Sequence, residues 1–405
     1  MTIASFLIQI IRNFAANLNP KNMTNGLKIA FDAKRLFHNL TGLGNYSRTL
    51  LETLVQYYPE NEYHLFTTRD SESPRLDFLK QKSCIKTHLP QGIYQWNPSL
   101  WRTFCLKNKV PKSGSTIFHG LSNELPIGIE KTGLKTIVTI HDLIFERFPE
   151  YYSFSAVNVP MYRYKFRSAC ERADIVVAVS EMTARDIETF YKIPRSKIRV
   201  IYQSCHPQFY KNGLLETEMR KKVLQKYNLP TEYMLYVGTI NPRKNLLTLL
   251  KAMCGLPKDC NLVVIGNGTA YLKQCKQFVV ENKLEKRVFW LPNADFVDFP
   301  AIYQSAQLFL LPSYFEGFGI PIIEALHSGV PVLTSEASCF AEAGGENSIY
   351  LPPDDVYKWI ENIQNTLINN ELRQKMIHNG HIHVQQFDEA EIGKQWFELY
   401  NFVIP

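Results

Sequence analysis

Two carboxylates, a cation pair and a histidine carry the chemistry this sequence offers. Glu316 and Glu324 flank Gly317-Phe318-Gly319, whose glycines free the backbone. Glu324 is expected in the first turn of a helix. The start of that helix, at Pro321, offers unpaired N–H groups and a positive dipole end to a phosphate. A carboxylate beside such a site does not bind the phosphate itself and is suited to accept hydrogen bonds from sugar hydroxyls. Arg243 and Lys244 stand just before another expected helix start, with Asn245 as its N-cap, and cations there suit an anion. His141 ends a β-branched run, and Asp142 is placed to orient its ring. Each has a plainer reading: a helix-dipole partner, a solvated pair of loop charges, a structural histidine.

The elements that must position these groups obey one plan. Residues 308–311 form an apolar run too short for a helix and read as a buried parallel strand. A glycine loop comes next, then a helix ending near Gly329, then a strand over 330–334. Earlier, a strand at 27–31 and the loop Thr41-Gly42-Leu43-Gly44-Asn45-Tyr46 precede a helix at 47–57. Strands are expected at 63–67, 116–118, 136–140, 174–179 and 197–202, then at 233–237, 261–265 and 288–291. Residues 116–118 deliver His119, the second strand-end histidine, and His141 is the preferred one. Residues 70–115 show no readable pattern. Strand and helix in alternation predict an α/β protein of two Rossmann-like, doubly wound domains facing a central cleft. The expected boundaries are an extension at 1–25, domains at 26–208 and 209–385, and a terminal helix within 386–405 crossing back to the first domain.

The run EGFGIPIIE, residues 316–324, resembles the E-x7-E signature of the family 4 retaining glycosyltransferases of GT-B fold, bacterial mannosyltransferase-like members among them. The likeness continues into Ser338, Glu342 and Gly345, and departs from the family at Phe340-Ala341. It implies that Gly42, Gly44, Arg243, Lys244, Gly317, Phe318 and Gly319 surround a donor diphosphate. It implies Glu324 on the ribose and Glu316 and His141 as catalytic groups at the donor sugar. The reaction implied moves a hexose from a GDP- or UDP-linked donor to a saccharide or lipid-linked saccharide acceptor, with retention, in surface polysaccharide or glycolipid synthesis. Ala294 stands near where the family has a base-contacting glycine, which leaves the base open. No DxD triplet occurs, so neither a carboxylate-bound metal nor another cofactor is expected. The alternatives are a GT-B-fold sugar-nucleotide epimerase, which needs no acceptor, and a non-catalytic nucleotide-sugar binding protein.

A chain of 405 residues exceeds one ordinary core, and 45% hydrophobic with 20% charged residues describes a soluble globular protein. Residues 1–208 carry a formal charge of +10 and the remainder −3. A basic N-terminal half suits a membrane surface or a diphosphate-linked acceptor, with solvated surface charge as the alternative. No nucleic-acid partner is expected. Eight cysteines without a CxxC pair read as reduced thiols. A cytoplasmic location, peripheral on the inner face of a membrane, is expected. The apolar stretch in residues 1–22 is too short to span a bilayer and reads as a surface helix or an extension.

Overall fold

The computed structural model describes residues 26–39, 42–80, 82–151, 158–211 and 213–404. The readings placed on residues 1–25, on Thr41 and on residues 152–157 lie outside them.

Two parallel sheets carry the chain. The first has 7 strands: β1 (Lys28–Asp32), β2 (Glu62–Phe66), β3 (Ile85–His88), β4 (Ile117–Gly120), β5 (Lys135–Ile140), β6 (Ile175–Ala178) and β7 (Ile198–Val200). Their order, β3-β2-β1-β4-β5-β6-β7, reverses between β1 and β4, which is the doubly wound arrangement. The second sheet has 6: β8 (Met234–Val237), β9 (Leu262–Ile265), β10 (Val288–Leu291), β11 (Leu308–Leu311), β12 (Val332–Ser335) and β13 (Ile349–Leu351). The order β10-β9-β8-β11-β12-β13 repeats the same winding and reverses between β8 and β11. Neighbouring strands pair in parallel throughout, so in each half every strand points its carboxyl end to one edge.

The helices flanking these sheets include α1 (Gly42–Tyr57), α2 (Asn158–Arg172), α3 (Glu181–Tyr191), α4 (Leu246–Gly255), α5 (Ile320–His327) and α6 (Glu389–Val403). Alternation along the first-sheet strands splits their side chains between two cores. Ile29, Phe31, Ile117 and Ile137 face one with Leu50 and Leu54 of α1; Ala30, Phe118, Val138 and Ile140 face the other with Ala184 and Ile187 of α3. α6 joins the first of these cores through Ile392, Trp396, Leu399 and Tyr400, so the chain's last helix packs on the N-terminal half. Trp396 and Tyr400 are fully buried, and burial of such a side chain stabilises by about 2–3 kcal/mol.

α2 packs Phe166, Ala169 and Cys170 inward. Its Arg163, Arg167 and Arg172 pair with Glu146, Glu171 and Glu130. Those pairings fit a packing helix rather than a basic membrane-facing one. Among the described residues no helix is long and apolar enough to cross a membrane.

Candidate active site

The two halves meet at the carboxyl edges of their sheets. After β11 the chain runs through Ser313, Glu316 and Gly317 to Gly319, whose φ of +112° turns it into α5. A side chain would resist that backbone. Pro321 takes the second helical position, where its missing N–H costs nothing. Glu324 is therefore the fifth residue of α5, one position deeper than expected and just past the first turn. The difference arises because the helix already begins at Ile320.

Glu316 is the electrostatic centre. Its Oε2 lies 3.0 Å from Arg243 Nη1 and its Oε1 lies 2.8 Å from Lys244 Nζ. Ser313 Oγ donates to Oε1 at 3.1 Å. All three charged side chains are largely buried, with exposures of 13%, 15% and 12% for Glu316, Arg243 and Lys244. Burial alone would raise the carboxyl, but the two cations prevail and hold it down at about 2. Ser338, at φ +66°, braces the backbone here: its Oγ donates to the Glu316 carbonyl at 2.8 Å and accepts from the Glu316 N–H at 3.1 Å.

The cations are delivered by a short turn, Pro242–Lys244, after β8. Asn241 caps it, accepting from the Lys244 N–H at 3.1 Å. Asn245 precedes α4 as expected, but its side chain caps no helical N–H. In a left-handed conformation (φ +52°) it donates instead to the Pro353 carbonyl at 2.9 Å and accepts from Thr248 Oγ1 at 3.1 Å.

His141 is buried at the end of β5. Its Nε2 lies 2.8 Å from the Leu121 carbonyl, which can only accept, so the proton sits on Nε2 and Nδ1 is left unprotonated. Burial, with a smaller contribution from the Arg35 charge, lowers its pKa to about 4 and keeps the ring neutral. Tyr46 of α1 meets the ring edge-on at 4.6 Å. Asp142 does not orient the ring, contrary to expectation: its Oδ1 accepts from the Ile144 N–H at 3.2 Å and so shapes the turn after β5. His119 is a satisfied core residue, with Tyr400 Oη and Thr139 Oγ1 each 2.8 Å from its ring nitrogens.

The halves touch through Gly317. A Cβ built there would lie 2.1 Å from the His141 carbonyl oxygen, so only glycine allows this approach. Ser180 Oγ, at the N-cap of α3, donates to the Gly317 carbonyl at 2.7 Å. Glu342 then reaches from the C-terminal half to the start of α3, accepting from the N–H groups of Glu181 at 2.6 Å and Met182 at 3.0 Å. Burial raises the Glu342 carboxyl, those two N–H groups and Tyr202 lower it, and the Glu181 charge adds to the rise.

The remaining glycine-loop positions divide. Phe318 turns its ring away from the cleft into a core, stacked on Tyr202 at 5.4 Å, so only its backbone faces the loop. The predicted loop at 41–46 is instead helical from Gly42, which places Gly42 and Gly44 in the first turn of α1. Gly42 borders open space. Gly44 is a packing requirement, since a Cβ would lie 1.8 Å from the Asn39 carbonyl. Sequence reasoning missed Ser180, Ser313 and Tyr303, and it noted Ser338 and Glu342 by resemblance alone. The Ser180-x-x-Thr183 spacing is the one available signal, a helix cap.

Glu324 accepts from Tyr303 Oη at 2.8 Å. Burial pushes its carboxyl up to about 7, against smaller lowering by Tyr303 and Lys244. A raised carboxyl stabilises the fold most below its unfolded value of 4.5, and that contribution is lost as pH rises to 7. The Glu324→Gln variant lacks this loss. Its stability relative to wild type should climb by about 3 kcal/mol from pH 4.5 to 7 and then level off. Chemical denaturation across that range checks it; a flat difference would show an ordinary carboxyl.

Residues 40–208 match the family model described as Glycosyltransferase Family 4, and residues 219–383 match Glycosyl transferases group 1. The chain is 26% identical over 393 residues to an O-antigen chain mannosyltransferase B of Escherichia coli, covering 93% of this chain and 100% of that one. It is 30% identical over 228 residues to an O-antigen chain mannosyltransferase of Salmonella typhimurium, covering 56% and 60%. Among solved structures it is similar to the Anabaena protein HepE in complex with UDP and glucose, with a TM-score of 0.72, 19% identity and coverage of 93% and 100%. It is also similar to WaaG, a glycosyltransferase involved in lipopolysaccharide biosynthesis, with a TM-score of 0.67, 16% identity and coverage of 92% and 99%. Two doubly wound sheets meeting at their carboxyl edges, matched half by half in this way, make the chain a GT-B glycosyltransferase with a family 4 N-terminal domain and a group 1 C-terminal domain.

Proposed function

We propose that this glycosyltransferase moves a hexose from a nucleotide-sugar to a hydroxyl of a saccharide or lipid-linked saccharide in surface-polysaccharide synthesis, with retention at the anomeric carbon. The relatives' names support mannose as the hexose, and the neighbour's UDP complex supports a nucleoside diphosphate as leaving group. GDP- and UDP-linked donors are the two to compare. A peripheral contact of the basic N-terminal half with a membrane belongs to the same reading.

The observation that carries it is the clasp of Arg243 and Lys244 on one carboxylate. A diphosphate has the charge and the oxygen atoms to replace Glu316 between them. As the nucleoside diphosphate departs, negative charge develops, and these fixed cations with the N–H groups before α5 stabilise it. Glu316, displaced from the clasp, accepts from donor-sugar hydroxyls. Glu324 accepts from the ribose, and neutral His141 approaches the sugar as an uncharged partner.

Incubation with GDP-mannose or UDP-glucose, with and without oligosaccharide acceptors, tests the reaction. Nucleoside diphosphate should appear only when acceptor is present. Conversion of donor to an epimeric nucleotide-sugar without acceptor would sink the reading. Activity should survive excess EDTA, since side chains supply the cations at the leaving group. Loss on chelation that Mg²⁺ or Mn²⁺ restores would overturn that part.

A further inference from the structure

Away from the Glu316 clasp, the first sheet opens a cavity of about 270 Å³ at the carboxyl ends of β2 and β3. Phe66, His88, Tyr94 and Trp101 line it with Lys109 and Lys112. Phe66 and His88, the last residues of their strands, stack at 4.4 Å, and Trp101 lies 6.3 Å from Phe66. His88 Nε2 is engaged with His64 Nδ1 at 2.8 Å. An aromatic floor with cations at the side suits a sugar ring that carries a phosphate.

The surrounding charge is one-sided. Residues 78–123 hold six lysines and one arginine and no Asp or Glu, equal to the +7 of the whole chain. Arg102, Lys80 and Lys86 are taken up by Asp32 and Glu124, Asp77 and Glu62. Lys109 and Lys112 form no ion pair with a described carboxylate. The adjoining segment exposes large apolar side chains: Ile93 at 78%, Trp96 at 92%, Leu100 at 50% and Phe104 at 47%. Uncompensated lysines beside exposed Trp and Ile match the interface of an anionic bilayer.

We propose that this cavity is a second binding site, for a phosphate-bearing saccharide, which anchors the remote end of the acceptor. The inference rests on the glycosyltransferase reading of the clasp. The cavity and His141 lie on the same sheet edge, and β2 is three strands from β5. Strand spacing makes that separation roughly 14 Å, room for an acceptor of a few sugar residues whose other end reaches the clasp. The apolar rim places the phosphate at a membrane surface and favours a lipid-carried form.

The test uses the full chain with nucleoside diphosphate held saturating, so that the clasp is occupied. Calorimetry with glucose 1-phosphate should show binding that Lys109→Gln/Lys112→Gln weakens at least tenfold, with nucleoside diphosphate affinity unchanged. In parallel, phosphatidylcholine vesicles with and without a polyprenyl-diphosphate-linked oligosaccharide are floated with the protein. Carrier-dependent flotation that the double variant loses assigns the phosphate to a lipid. Soluble binding without such flotation assigns it to a free glycosyl phosphate. Equal affinity in wild type and variant, or no binding in either arm, overturns the cavity assignment. If nucleoside diphosphate itself fails to bind, the failure lies instead with the reading of the clasp.

Discussion

Glu316→Gln should tighten nucleoside diphosphate binding while it cripples turnover. In the wild-type protein the carboxylate occupies the space between Arg243 and Lys244, so an incoming diphosphate must first displace it. The uncharged amide competes less, and affinity should rise about tenfold, or about 1.4 kcal/mol. Turnover should fall by about tenfold to a hundredfold, because the charged acceptor for the sugar hydroxyls is gone. The ligand-free variant should also lose about 2–3 kcal/mol of stability, since two largely buried cations lose their partner. Saturating nucleoside diphosphate should restore it, giving a larger ligand-induced rise in Tm than in wild type. The pH dependence has a definite sign. Glu316 titrates near 2 when folded and 4.5 when unfolded, so its contribution is complete above 4.5 and disappears as pH falls toward 2. The variant should lack that acid limb. Equal nucleoside diphosphate affinity and equal ligand-induced shifts in the two proteins would remove Glu316 from the phosphate site.

Strands such as β5, β9 and β11 were the legible part of the fold, because these are short apolar runs buried on both faces and bounded by polar or glycine residues. β10 begins and ends where the sequence predicts, and α6 lies within the expected 386–405. Residues 70–115 were opaque for a physical reason: β3 is an edge strand with a mostly exposed pattern, and the segment after it is built of short turns without a period. The candidate site was legible as residue types and illegible as partnerships. Nothing local in the sequence pairs Glu316 with Arg243, some seventy residues earlier, or Glu342 with the start of α3. Where a backbone decided the outcome, expectation also slipped. The early start of α5 moved Glu324 one position along the helix, out of its first turn, and the left-handed Asn245 abandoned its helix cap.

Gly317→Ala should cost turnover at least a hundredfold and leave nucleoside diphosphate binding nearly intact. The position needs no special φ, so alanine meets no backbone strain there. What it meets is the other half of the molecule: its Cβ would sit 2.1 Å from the His141 carbonyl, whereas real contacts of this kind stay beyond 3.0 Å. The halves must part by about 1 Å, and a displacement of that size between reacting groups costs on the order of a hundredfold in rate. The separation also stretches the Ser180–Gly317 hydrogen bond and the grip of Glu342 on α3. Arg243, Lys244 and Glu324 all belong to the C-terminal half, so their hold on a nucleoside diphosphate does not depend on closure. Ser180→Ala removes the same hydrogen bond without adding bulk, and its loss should be smaller, about fivefold to tenfold. Steady-state kinetics on both variants, beside calorimetry with nucleoside diphosphate, separates the two effects. If Gly317→Ala turns over at the wild-type rate, the contact between Gly317 and His141 is not part of the reacting state.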